Sequence, residues 1–443
     1  MITNFTKDTS ITFITRVLQI ILGIGSSIII TRILKPEGKG IYSLAILFPT
    51  LLISLINVGI GPASVFYIGR KKYSSKEVFG VNIIYSILIS IFGILVGLVV
   101  IFFFSNKIFP GVAKEYLLLA LLLIPFQVFL TFTVNILLGL QKIRKYSFIQ
   151  LIQTLIFLVC VAILLLGFRL GIKAAIIAQI LSLIIACIIL FFQTRQETKG
   201  LVLSLNKNLL KDFFSYGIKV YFGNILSFLH YRIDMFMLNI FLNSIAVGFY
   251  SVAVVLSEKI WLISGSAGTV LFPQVSSETN KRNLNKFTPL VCRNVLFVTI
   301  LFAVFLFVIG RWLIISLYSE QFSDAVLPFQ ILLIGAVTIS GWRILANDLY
   351  GRGKPLLNSY ITAVSVVTNI ILNIILIPRS GITGAAWATS ISYTIALILV
   401  VIIYSKISGN KITGIILIKK ADFRYYRGFI NLVRIKYFDK NVT

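Results

Sequence analysis

The chain of 443 residues is 58% hydrophobic and only 12% charged, with a mean hydropathy of +0.98. Soluble domains carry about a quarter charged residues, so a water-soluble globular protein is excluded. Lys and Arg outnumber Asp and Glu 41 to 14, a formal charge of +27; these cations cluster between apolar stretches of roughly 20 residues, which makes them loop charges of a membrane protein and excludes nucleic acid as the implied partner.

Hydropathy over a window of about 19 residues gives about twelve spans. They lie near 11–33, 41–69, 80–104, 116–139, 147–167, 172–193, 213–241, 246–270, 289–317, 325–350, 358–378 and 383–405. The first runs from Ile11 to Leu34 with no small-residue cleavage site after it, so it is expected to stay as a transmembrane helix and not to act as a signal peptide. In the third, Val81 to Phe104 contains no charge. The longest connection, about Thr194 to Asp212, is too short to fold as a catalytic lobe. These bounds give a six-helix lobe over 1–193, a cytoplasmic linker over 194–212, a second six-helix lobe over 213–405 and a tail over 406–443. The tail mixes Lys419, Lys420, Arg424, Arg427, Arg434 and Lys436 with Tyr425, Tyr426, Phe429 and Tyr437. Such a segment lies on an anionic leaflet or is simply solvated.

Positive loops stay on the cytoplasmic side. With the N-terminus inside, 27 Lys and Arg fall in inner segments and nine in outer connections, the nine including Arg32, Lys35, Lys39 and Lys107. Both termini are therefore expected in the cytoplasm. Cys160, Cys187 and Cys292 have no paired spacing, which excludes a disulfide framework or a structural zinc site.

The two halves echo each other. Gly40, Tyr42, Ser43 and Ala45 recur as Gly248, Tyr250, Ser251 and Ala253, an offset of 208; Gly171, Ile172, Ala175 and Ala178 recur as Gly381, Ile382, Ala385 and Ala388, an offset of 210. Each pair stands at the start of equivalent spans. An even number of spans per copy makes the repeats parallel, related by an axis along the membrane normal, an arrangement in which transporters carry substrate between rocking halves.

Ionisable side chains at bilayer depth cost roughly 2.5–3.5 kcal/mol on insertion scales, so they face a cavity or a partner. The candidates are Arg16 in span 1, Lys219, His230, Arg232 and Asp234 in span 7, Glu258 and Lys259 in span 8, and Arg343 and Asp348 in span 10. Five basic against three acidic residues favour an anionic substrate. At about 100° per residue, Lys219, His230 and Asp234 share one face of span 7 and Arg232 points away. The tight turn through Asn243 and Ser244 brings Arg232 near the depth of Glu258 and Asp234 near that of Lys259, so ion pairs between them are a hypothesis. Arg16, Lys219 and Asp348 lie close enough to cytoplasmic ends to snorkel. Asn369 and Asn373 are expected to make interhelical hydrogen bonds. One histidine, no phosphate-binding glycine loop and no acidic metal cluster leave enzymatic chemistry without its residues.

Arg32, Leu34, Pro36, Gly40 and Tyr42 reproduce an element that reads R-x-L-x-P-x-x-x-G-x-Y in polysaccharide exporters, and Asp234 stands where those proteins often carry an aspartate. Leu271 to Pro273, Tyr318 to Phe322 and Gly381 to Ala388 fit the same pattern. The chain thus resembles the Wzx-type oligosaccharide flippases of the multidrug/oligosaccharidyl-lipid/polysaccharide (MOP) exporter superfamily. The resemblance implies an all-α integral membrane protein whose two six-helix lobes enclose a V-shaped central cavity. It also implies a bacterial cytoplasmic membrane location, a lipid-linked oligosaccharide substrate on undecaprenyl pyrophosphate, and contacts with membrane lipids and with the polymerase and chain-length machinery of the same pathway. Arg16, Lys219, Arg232, Lys259 and Arg343 would then meet the anionic substrate, while Asp234, Glu258 and His230 would serve ion pairing or coupling to H+ or Na+, with no other cofactor. A multidrug or cation antiporter of the same superfamily would be expected to place acidic residues in the first half, and a membrane glycosyltransferase or O-antigen polymerase would be expected to need a large outer loop.

Overall fold

The computed structural model describes residues 2–57, 59–168, 170–203, 207–277 and 280–422, and among them every regular element is helical. Among the described residues nine helices are long and apolar enough to cross a membrane. Two of them are each a pair. Helix α1 (Ile2–Ile56) breaks at Lys35, where φ is 58° and ψ −179°, and α13 (Pro355–Ser408) breaks at Gly381, where φ is 57°. Helix α8 (Lys207–Phe241) is also long but is less apolar and is not among these nine. Among the described residues twelve long helical segments therefore follow one another near the bounds that hydropathy predicts, except that the span expected over 41–69 ends at Ile56 and is followed by a separate short helix, α2 (Ile60–Gly69).

The breaks have local causes. Proline at position 36 disfavours helical geometry at Lys35, which adopts a conformation otherwise almost confined to glycine and costing about 1–3 kcal/mol. The corresponding position 208 residues later is Asn243, whose side-chain oxygen accepts the Ala246 N–H at 2.9 Å and so caps α9 (Ser244–Ser257). Gly171 and Gly381, paired in the second sequence match, both have positive φ, 62° and 57°. The repeat seen in the sequence is thus a repeat of backbone conformation.

The chain divides into two compact units. The first comprises Met1–Val252, Trp312–Ala325 and Asn373–Ala385. In it α1 packs on α6 (Ile143–Val161) and α7 (Gly171–Glu197), while α5 (Leu123–Gly139) packs on α2 (Ile60–Gly69) and α3 (Ser75–Ile108). Ala174, Ala175 and Ala178 of α7 let the backbones approach around Ile30, Leu165 and Leu183. Helix α3 is polar inside and apolar outside: Asn82, Ser86, Ser90 and Ser105 are buried, and Phe92, Phe102 and Phe103 are exposed. This inverse of the soluble pattern suits a surface met by lipid. Asn82 donates to the Phe132 carbonyl at 3.1 Å and shares a hydrogen bond with Ser64, tying α3 to α5 and α2.

The second unit comprises Ala253–Arg311, Val326–Leu372 and Ala386–Thr443. Helix α10 (Trp261–Ser277) packs on α12 (Val326–Gly351), and α11 (Lys281–Tyr318) presents Val304, Phe305 and Val308 outward. Asn369 donates to Thr389 at 3.3 Å across the two arms of α13, the interhelical bond expected of it. Asp348, expected to snorkel, is instead fully buried: its carboxylate takes Arg352 one turn on and the Thr288 hydroxyl at 2.5 Å.

Candidate functional site

The element with the exporter pattern meets its own repeat. A methyl group placed on Gly40 would lie 1.7 Å from the Ser244 carbonyl oxygen, and one on Gly248 would lie 2.0 Å from the Pro36 carbonyl oxygen. Pro36 and Ser244 are themselves 208 residues apart, as are Gly40 and Gly248. The first unit therefore contains a backbone crossing in which equivalent residues contact each other reciprocally, as across a local two-fold axis. Only glycine at both positions permits the approach.

Other groups brace the same region. Arg32 donates from Nε to the Leu317 carbonyl at 2.8 Å and from Nη2 to the Ser316 carbonyl, so it caps the C-terminus of α11 with a cation. Phe109 packs edge-on against Phe48 and Phe236, with ring centroids 5.0 and 5.8 Å away. Asn239 donates to the Pro110 carbonyl at 3.3 Å. Lys39, one of the cations assigned to the outer connections, is only 6% exposed and its ammonium lies 5.4 Å from the Tyr42 ring centroid, a cation–π contact.

Tyr250 stands two residues beyond Gly248. It is fully buried and its hydroxyl donates to Asp234 Oδ2 at 2.5 Å, while the Met235 N–H donates to Oδ1 at 2.8 Å. Asp234 and His230 are buried on the shared face of α8 that helical spacing predicts, at 4% and 2% exposure. His230 stacks on Tyr231, and half-buried Arg232 donates to the Tyr231 carbonyl at 2.9 Å. Arg16 is exposed on α1. The Lys219 side chain lies outside the described residues, as does the tail beyond Asp422.

In the second unit, half-buried Glu258 and Lys259 form a short 3₁₀ turn between α9 and α10. Arg343 of α12 holds its guanidinium 4.7 Å from the Trp261 ring centroid, an aromatic partner not foreseen from the sequence. At the other end of the first unit, Asp212 binds Lys72 Nζ at 2.5 Å and the Tyr73 hydroxyl at 2.6 Å. The Lys72 ammonium, with the Tyr73 hydroxyl, holds the Asp212 carboxyl below its ordinary value.

The fold is that of MOP-superfamily transporters. It matches an inward-facing multidrug resistance MATE family transporter with a TM-score of 0.73 at 16% identity, covering 88% of this chain and 94% of that one. It also matches the lipid II flippase MurJ in an inward closed conformation, with a TM-score of 0.71 at 18% identity, covering 89% of this chain and 87% of that one. Within that fold class, the profile of the family described as "Polysaccharide biosynthesis protein" matches residues 5–280, and the chain belongs to this family.

Two curated relatives come from Haloferax volcanii. The chain is 27% identical over 198 residues to the probable low-salt glycan biosynthesis flippase Agl15, covering 43% of this chain and 41% of that protein. It is 30% identical over 176 residues to the probable flippase AglR, covering 38% of this chain and 37% of that protein. The matched stretch spans less than half the length of each.

Proposed function

We propose that this protein is a flippase that turns a lipid-linked oligosaccharide from the inner to the outer leaflet of a bacterial cytoplasmic membrane by alternating access, both termini being cytoplasmic. The observation that carries the reading is the reciprocal crossing of Gly40 and Gly248, because it makes the two parallel repeats of the sequence a pair in space, the arrangement in which transporters rock one repeat against the other. In the topology read from the charges, the crossing and the Arg32 cap lie at the outer ends of the helices. Family membership and the flippase names of two relatives support the same conclusion.

The lobes would be the six-helix halves 1–193 and 213–405. Arg16, Lys219, Arg232, Lys259 and Arg343 would meet the pyrophosphate of an undecaprenyl carrier and any acidic sugars, the indole of Trp261 offering a flat apolar face beside Arg343. Asp234 would couple an H+ or Na+ gradient to the motion, with His230 and Glu258 as further coupling or ion-pair groups. A proton or cation on Asp234 weakens its acceptance of the Tyr250 hydroxyl, and Tyr250 stands two residues from the crossing. The position 208 residues before Asp234 is Ser26, so the pattern in the first half lacks the carboxylate that a cation antiporter would be expected to use.

The glycan so exported would be O-antigen, capsule or another surface polymer, built with the polymerase and chain-length machinery of the pathway. Deleting the gene and analysing undecaprenyl-linked intermediates tests the proposal. Accumulation on the cytoplasmic face is the expected result; no accumulation there overturns it.

A further inference from the structure

The chain after α13 folds back against the start of α11. Arg293 of α11 makes a bidentate ion pair with Asp422, from Nε at 2.5 Å and Nη2 at 2.6 Å, and donates to the Gly414 carbonyl at 3.1 Å. The Asp422 side chain is buried, at 1% exposure, and that of Arg293 is 11% exposed. Asn410 donates to the Asn285 carbonyl at 2.7 Å, Asn285 donates to the Ser408 carbonyl at 2.8 Å, and Arg352 donates to Asn285 Oδ1 at 3.0 Å. These bonds fix the walls of a cleft of about 670 Å³, within the roughly 300–1,000 Å³ range of small-ligand sites.

The charge of the cleft is one-sided. Arg293 is neutralised by Asp422, but Lys286, Lys411 and Lys419 line the same cleft and none has a carboxylate partner among the described residues. Asp422 also accepts the backbone N–H of Lys419 at 2.9 Å along with the guanidinium, and among the described residues no ion pair joins it to the Lys419 ammonium. Beside the lysines, Ile412 and Leu417 are 46% and 60% exposed. Cations alternating with outward apolar side chains at the end of a membrane-crossing helix are the pattern of a group that sits at a lipid headgroup, with the apolar residues against the acyl chains. A soluble phosphate would use the lysines and leave Ile412 and Leu417 without purpose.

We infer that this cleft binds the headgroup of an anionic phospholipid and fastens the base of the tail to the leaflet. The site is separate from the charges that the flippase reading uses, and its test involves no transport. The purified full-length chain is titrated with phosphatidylglycerol or phosphatidylcholine, and retained lipid is counted by native mass spectrometry. A tightly held phosphatidylglycerol is expected. The triple variant Lys286→Gln, Lys411→Gln, Lys419→Gln should bind it on the order of 100-fold more weakly, since each such cation near an anionic surface contributes about a factor of five. The corresponding Lys→Arg triple should bind as the parent does, and the pair Ile412→Asn, Leu417→Asn should weaken retention. Unchanged binding in the Gln triple, equal loss in the Gln and Arg triples, or full displacement of the lipid by millimolar inorganic phosphate would overturn the inference.

Discussion

Gly40 and Gly248, 208 residues apart, share one crossing in which each α-carbon faces the carbonyl four residues before the other. Neither position can gain a side chain without moving a backbone. Gly40→Ala or Gly248→Ala is therefore expected to leave membrane insertion intact, to destabilise the contact by about 1–3 kcal/mol and to open it. Alkylation of a Ser244→Cys reporter by a membrane-impermeant maleimide should rise several-fold in either background. Unchanged labelling would show that the crossing tolerates a methyl group.

The hydrogen bond from Tyr250 to Asp234 links a buried carboxylate to that crossing. Arg232→Ala and Asp234→Ala should each abolish surface-polymer assembly while the protein still inserts; wild-type polymer levels in both would refute their role. Tyr250→Phe removes a charge-assisted hydrogen bond of about 1.5–3 kcal/mol and should reduce polymer less than Asp234→Ala does.

The contact of Asp212 with Lys72 and Tyr73 sets a pH dependence. A carboxyl held below its ordinary value, about 3.9 in the unfolded chain, contributes stability that is fully present above that value and is lost as pH falls through the lower, folded value. Wild type should melt above Asp212→Asn from about pH 5 upward, and the two should converge in acid below about pH 4. A difference that persists unchanged at the lowest pH would contradict the assignment.

The buried pair of Asp348 and Arg352 is structural. Removing one partner strands the other charge, so Asp348→Ala should cost about 3–5 kcal/mol in thermal unfolding of detergent-solubilised protein. Asp348→Asn, which can still accept from Thr288, should cost less.

Much of this was legible in the amino-acid order because bilayer physics is coarse. Apolar length marked the spans, and small residues at a fixed offset marked the repeat, since glycines that meet across an axis cannot drift. The turns near Lys35 and Asn243 follow from the gaps between spans, but their chemistry does not, because one depends on a strained residue before a proline and the other on a side chain capping three residues ahead. A charge census weighs sign and position, not burial, so it gives no sign that Lys39 is packed against Tyr42. Partners sought only among opposite charges overlooked the Tyr250 hydroxyl on Asp234 and the Trp261 ring under Arg343, which carry no formal charge. Arg32 was visible as part of a motif, but its role as a helix cap needed the distant end of α11.

The crossing also bears on how such a chain arises. Contacts made reciprocally by Pro36 with Gly248 and by Ser244 with Gly40 are those of a symmetric dimer interface enclosed in one polypeptide. Two copies of an ancestral six-helix unit would present the same groups to each other in the same way. Fusion then leaves each half as the other's permanent environment, and a change at either glycine is felt as a mutation of both.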